Sequence, residues 1–195
     1  LGLGCEHDWR DDQLCFVPRL DEWGQTTLPS LYDAGDGAGI AGAEAAKFRG
    51  VIAAIGIARQ LGKSSASEAA AAPARARLAK LLALRPLLDT LYRPRKEALL
   101  PSDVTLVCRC EEVSAKRIRD AAGVGIAGPN QVKSFTRCGM GPCQGRECGY
   151  TVSAILADVT GKPMDAIGFY RIRPPLKPIT VGQLAALEAD DVPVM

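Results

Sequence analysis

Apolar positions along the chain follow two rhythms, and the rhythm changes from segment to segment. Phe48, Val51, Ile52, Ile55 and Ala58 recur three and four residues apart, which predicts a helix. Ahead of it, Cys15 to Leu20 reads as a strand, Asp21 to Gln25 as a turn, and Ser30 to Asp33 as a second short strand entering a run of small residues. Beyond residue 63, Ser67 can cap a helix that Pro73 breaks or restarts, and Leu78, Leu81, Leu82, Leu88 and Leu91 form an apolar stripe. Arg75, Arg77 and Lys80 read as its solvated face.

In the second half, Ser114 is a good N-cap for a helix over 115–122, and Gly123, Gly125 and Gly128 end it. A short helix over 130–136 is expected to bury Val132 and Phe135. Another begins after Cys148, runs through Val152, Ile155, Leu156 and Val159, and stops at Gly161. Pro174, Pro175 and Pro178 predict an extended strap before a short helix over 181–188. The pattern as a whole is α+β and mostly helical.

Composition narrows the function classes. With 195 residues, 47% of them hydrophobic, the chain can bury one medium core or two small ones. Its net charge of +2 implies neither a nucleic-acid nor a membrane-surface partner. The Ala-rich stretch is interrupted by Ser, Glu, Pro and Arg, so no apolar run reaches membrane-spanning length. No leader pattern is legible, which leads us to expect a cytoplasmic protein, and the start at Leu1 suggests a cut from a longer chain. His7, the sole histidine, lies among Glu6, Asp8, Arg10, Asp11 and Asp12 and reads as a solvated side chain in a loop. Cys5 and Cys15 are expected to be unpaired thiols.

The remaining five of the seven cysteines carry the chemistry. Cys108 and Cys110 form a C-x-C, and Cys138, Cys143 and Cys148 follow in the run Arg137-Cys-Gly-Met-Gly-Pro-Cys-Gln-Gly-Arg-Glu-Cys148. Thiols crowded in this way point to a soft metal centre rather than disulfides. Gly139, Gly141 and Gly145 permit close backbone approach to sulfur. Arg109, Arg137 and Arg146 could favour thiolate, or could simply be solvated. Four thiolates also suit zinc, but C-x-C is tighter than the usual zinc spacing and favours iron.

The cysteine pattern resembles the BFD-like ferredoxin domain, which binds one 2Fe-2S cluster. Thirty-two residues separate Cys110 from Cys143, matching the gap in that family. The resemblance implies Cys108, Cys110, Cys143 and Cys148 as metal ligands. Here the last pair is C-x4-C where the family has C-x-x-C, and Cys138 stands nearby as a substitute ligand.

A second motif lies upstream. Thr27-x-Pro-x-Leu-x-x-Ala-Gly35-Asp36, followed by Gly39-x-x-Gly42-Ala43, brings a chain through glycines to a helix N-terminus. Such a terminus suits a phosphate or an electron-rich ring edge, though small residues equally let a helix cross close to a strand. The motif resembles the last FAD-contacting segment of glutathione-reductase-like flavoproteins. That resemblance implies cofactor-binding roles for Asp36 and for the backbone of Gly35, Gly37, Gly42 and Ala43. No G-x-G-x-x-G after a strand is read here, so the turn that holds the ADP half of FAD is expected to lie elsewhere.

The two motifs in this order, with the tail Tyr170-Arg-Ile-Arg-Pro-Pro-Leu-Lys-Pro-Ile-Thr-Val-Gly182, resemble the C-terminal portion of the FAD-containing subunit of opine oxidases, hydrogen cyanide synthase and related dehydrogenases. The resemblance implies a flavin-domain end over 1–63, a helical connector over 64–103, a BFD-like 2Fe-2S domain over 104–168 and a strap over 169–195. It implies one segment of an FAD-dependent oxidoreductase, relaying electrons between flavin and cluster. The implied partners are a missing N-terminal FAD-binding module and an amine-oxidising flavoprotein subunit. The alternative is a non-catalytic docking or structural module, with zinc or the cluster as its clip.

Overall fold

Residues 3–63, 67–172 and 178–187 are described by the structure, a computed structural model. Two units emerge, Leu3–Ala98 and Leu99 onward. Helix dominates both; the sheet is limited to two short antiparallel hairpins among the described residues.

The first unit opens with strands β1 (His7–Arg10) and β2 (Cys15–Pro18), paired from His7 with Pro18 to Arg10 with Cys15. Directly opposed Trp9 and Phe16 meet edge to face, with centroids 5.1 Å apart, the cross-strand contact that sets the register. His7 therefore stands in a strand rather than a loop, half-buried, with Nδ1 2.8 Å from the Cys5 carbonyl. The strand expected over Ser30 to Asp33 does not form; the segment makes one isolated bridge, Gln25 to Tyr32. Ser30 has a positive φ of 61°, which takes it out of extended backbone.

Helix α1 (Ala43–Gln60) follows, then α2 (Glu68–Leu82), capped by the Ser67 hydroxyl, which accepts from the Ala70 N–H. The two helices pack around Trp23, Ile52, Ala71 and Ala74. Pro73 does not interrupt α2. It lies on the exposed side, where water can take the carbonyl it leaves unbonded, while Ala71 and Ala74 hold the helix against its neighbour. Arg75 is not on the wet face either: its guanidinium sits 4.5 Å from the Trp23 ring centroid, with Arg59 likewise at 4.3 Å. Helix α3 (Arg85–Leu91) and the single turn α4 (Lys96–Leu99) complete this half. Leu88 and Leu91 of the expected stripe are exposed.

In the second unit, β3 (Leu106–Cys108) pairs with β4 (Val113–Ser114), with an irregularity between Leu106 and Cys108. Helix α5 (Ala115–Gly123) starts at Ser114, whose hydroxyl accepts from the Arg117 N–H, as its sequence suggests. Then come α6 (Pro129–Thr136), α7 (Gly149–Thr160), α8 (Met164–Ile167) and α9 (Val181–Ala185). The core joins Val113, Ile118, Val132, Val152, Ile155 and Leu156 to three cysteines. Phe135 is 71% exposed, because the buried stripe of α6 is Pro129, Val132 and Thr136, and Phe135 falls to one side of it. Val159 likewise turns partly outward at the end of α7. Pro174, Pro175 and residue 188 lie outside the described residues, so the strap is seen over 169–172 and again from Pro178 through α9.

These burial differences predict a contrast. Ile155→Ala should cost about 2–5 kcal/mol of stability, by loss of buried methylenes and the cavity left behind. Phe135→Ser should stay within about 0.5 kcal/mol of the parent. Urea unfolding followed by circular dichroism measures both, and a comparable loss for Phe135→Ser would contradict its placement.

Candidate metal centre

Each of the five cysteines is delivered by a different local device. Cys108 ends β3, buried, and Cys110 follows exposed in the hairpin turn. Cys138 comes just after α6, where Arg137 adopts left-handed backbone with φ 64° and stops the helix. Its N–H donates to the Thr136 hydroxyl at 3.1 Å, which itself donates to the Val132 carbonyl at 2.7 Å. Cys148 immediately precedes α7 and accepts at its carbonyl from the Val152 N–H. Cys143 lies in the loop before it, half-buried. The Glu147 N–H, foremost, and those of Gly145 and Arg146 hold the Cys143 thiol below its ordinary pKa, together with the Cys110 thiol and against burial.

These devices sort the sulfurs into a trio and a pair. The Sγ atoms of Cys108, Cys138 and Cys148 all lie within 4.8 Å of one another, and all three residues are buried. Cys110 and Cys143 form a second close pair, with Sγ atoms 3.8 Å apart. Two thiolates on one tetrahedral metal at about 2.3 Å sit roughly 3.8 Å from each other, so the pair already has the spacing of ligands sharing an ion. Among the described residues, no four thiols close to within 4.8 Å of one another. Cys138, expected to be a spare, therefore stands with Cys108 and Cys148.

Close backbone approach is what makes this possible. A Cβ on Gly141 would lie 2.1 Å from the Cys110 Cβ, so only glycine fits beside the C-x-C turn. Gly139, at φ 87°, sends its N–H to the Cys108 sulfur at 3.5 Å, the type of donor a thiolate centre needs. Sequence reasoning missed Tyr170. Its ring fills the space beside Gly139 and Gly145, where a Cβ would come within 2.8 and 2.5 Å of it, and its hydroxyl donates to the Cys138 carbonyl at 3.0 Å. No local pattern marks this contact, which spans thirty-two residues. Of the three arginines, Arg137 pairs with Glu111 at 2.8 Å, Arg146 reaches the Cys143 carbonyl at 3.3 Å, and Arg109 is exposed.

The upstream motif forms one tight turn leading into α1. Asp36 Oδ1 accepts from the N–H groups of Ala41, at 3.0 Å, and Gly42, at 3.1 Å. Those two bonds, Ala41 first, draw the carboxyl below its ordinary pKa. Gly35 is buried and its carbonyl accepts from Arg49 at 2.8 Å, while a Cβ on Gly37 would meet the Asp33 carboxylate at 2.6 Å. Gly42 caps α1 with open space beside it, and Ala43 is the first helical residue. Gly37, Gly39 and Gly42 carry the G-x-G-x-x-G spacing. A 3-10 turn over Asp36–Ala38 precedes the helix in place of a strand, so the spacing lacks the strand-to-helix context of a dinucleotide turn.

Residues 103–188 match the family described as the sarcosine oxidase A3 domain. Over 185 residues, 95% of its length, the chain is 47% identical to the A subunit of opine oxidase from Rhizobium meliloti. The chain is homologous to this opine oxidase component. It is also 36% identical to hydrogen cyanide synthase subunit HcnB of Pseudomonas protegens over 91% of its length. It spans only 40% and 38% of those two relatives, respectively. The L-proline dehydrogenase of P. horikoshii shares the fold, with a TM-score of 0.73 over 93% of this chain and 35% of that one at 23% identity.

Two substitutions probe the site directly. Gly141→Ala should take up much less metal than the parent, read by metal content per chain after reconstitution, because the new methyl and the Cys110 side chain cannot share one place; equal uptake would contradict the geometry. Tyr170→Phe should lower stability by about 1–3 kcal/mol in urea unfolding, since it leaves a buried carbonyl without its donor.

Proposed function

We propose that this chain is the redox segment of an FAD-dependent oxidoreductase of the amino-acid or opine type, relaying electrons between a flavin and a 2Fe-2S cluster. The observation that carries the reading is the division of the thiols into a 3.8 Å pair and a buried trio. A single zinc ion calls for four thiolates at one tetrahedron, whereas a binuclear cluster takes two at each end. Cys110 and Cys143 would serve one iron, and Cys108 and Cys148 the other. When bound, the cluster supplies a one-electron carrier and the flavin a carrier that takes electrons as a pair or singly.

The chain's own residues have distinct parts in this. Gly139 and Gly141 bring the backbone close to sulfur, and Tyr170 seals the buried side of the loop. Asp36 fixes the turn ahead of α1 through one carboxylate oxygen, and with Gly35, Gly37, Gly42 and Ala43 would hold part of the FAD. The remainder of the flavin site would come from an N-terminal module, in keeping with relatives more than twice as long. Residues 1–63 would then close the flavin domain, 64–103 connect, 104–168 hold the cluster and 169–195 form a strap. Relatives that are themselves components of larger oxidases support a partner, here an amine-oxidising flavoprotein. No described helix is long and apolar enough to cross a membrane.

The test uses the full-length protein purified anaerobically. It should be red-brown and hold about two irons per chain; a colourless protein with stoichiometric zinc would overturn the reading. Cys143→Ala should keep FAD, lose the cluster absorption and slow electron transfer out of the reduced flavin at least about tenfold in stopped-flow. An unchanged rate would reduce the cluster to a structural part.

A further inference from the structure

The buried trio holds one thiol more than its half of a binuclear cluster takes. With Cys110 and Cys143 at one iron, the other requires two protein thiolates, yet Cys108, Cys138 and Cys148 all place Sγ within 4.8 Å of one another. A cysteine that merely packs behaves as a small hydrophobe and can point anywhere in the core. Cys138 instead places its Sγ within 4.8 Å of both other sulfurs. Its backbone is fixed at both ends, the N–H on the Thr136 hydroxyl and the carbonyl under the Tyr170 hydroxyl. The next residue, Gly139, donates to the Cys108 sulfur, so Cys138 and the first ligand are held by one short piece of chain.

We propose that Cys138 is a reserve ligand that takes the place of Cys148 on the iron shared with Cys108. In the exchange one iron–sulfur bond forms to Cys138 and one breaks to Cys148. The proton released as Cys138 binds would be taken up by the departing Cys148 sulfur, whose Sγ lies within 4.8 Å, and no electron moves. The other half of the centre has no such reserve: among the described residues, no third thiol joins the close trio's counterpart, the pair of Cys110 and Cys143. The consequence is asymmetric retention, with the buried iron recaptured after a ligand lets go and the exposed one lost.

The inference rests on the two-iron reading above, and iron content separates the two. Wild type, Cys138→Ala, Cys148→Ala, the double variant and Cys143→Ala are compared in the full-length protein purified anaerobically, by iron per chain and by electron paramagnetic resonance after reduction. A wild type without iron sinks the two-iron reading itself. With iron in the wild type, Cys148→Ala should keep most of its iron with a shifted resonance signal, and the double variant and Cys143→Ala should lose it. A folded Cys148→Ala without iron overturns the reserve role, as does a double variant that keeps as much as Cys148→Ala. Should Cys148→Ala fail to fold, the rate of iron loss to a chelator decides: Cys138→Ala should release iron about tenfold faster than wild type, and equal rates overturn the proposal.

Discussion

Five sulfurs gathered into one small region impose the constraint on which the second unit is built. Thiolates repel one another and burial disfavours their charge, so the arrangement is stable only with a cation between them or with protons on them. For the Cys148 thiol the neighbouring Cys138 thiol, and then burial, push the pKa up. The surrounding chain yields to the sulfurs at every point. Gly141 gives up its side chain to Cys110, Gly139 and Gly145 give theirs to the Tyr170 ring, and α7 begins only where Cys148 has been placed. The helices α5 and α7, packed through Ile118, Val152 and Ile155, form the rigid backing that keeps these loops from relaxing apart.

In the first unit the governing feature is Trp23, held between α1 and α2. Two arginines lie over its ring, and Gly56 is bare because a Cβ there would come 2.6 Å from the Trp23 Cβ. This packing fixes the long helix whose N-terminus the Asp36 turn leads into. The turn is self-satisfied, since Asp36 binds the N–H groups of Ala41 and Gly42 and Arg49 binds the Gly35 carbonyl. Whatever approaches Gly42 and Ala43 meets a preformed surface rather than one that must fold around it.

Local signals were legible where local physics decides. The hydroxyls of Ser67 and Ser114 cap the helices they precede, Gly161 ends α7 in left-handed backbone, and the spacing of Val152, Ile155 and Leu156 marks a buried face. What sequence did not disclose depends on the partner across the fold. Pro73 looks like a breaker until its exposed side is seen, Arg75 looks solvated until Trp23 lies beneath it, and Phe135 looks buried until the stripe of α6 is fixed by Pro129 and Thr136. At the centre, the crowding of cysteines pointed to one shared site, but counting residues from Cys110 could not reveal that Cys138 turns inward to join Cys108 and Cys148. Tyr170 was hidden for the same reason, because its contacts with the glycines of the cysteine loop arise only when the end of the domain folds back.

The central claim is that these thiols enclose two irons and not one zinc. X-ray absorption at the iron and zinc edges of the anaerobically purified full-length protein tests it most directly. The account predicts an iron edge with sulfur neighbours and a short iron–iron scattering path. A zinc edge with four sulfur neighbours and no metal–metal path would contradict it.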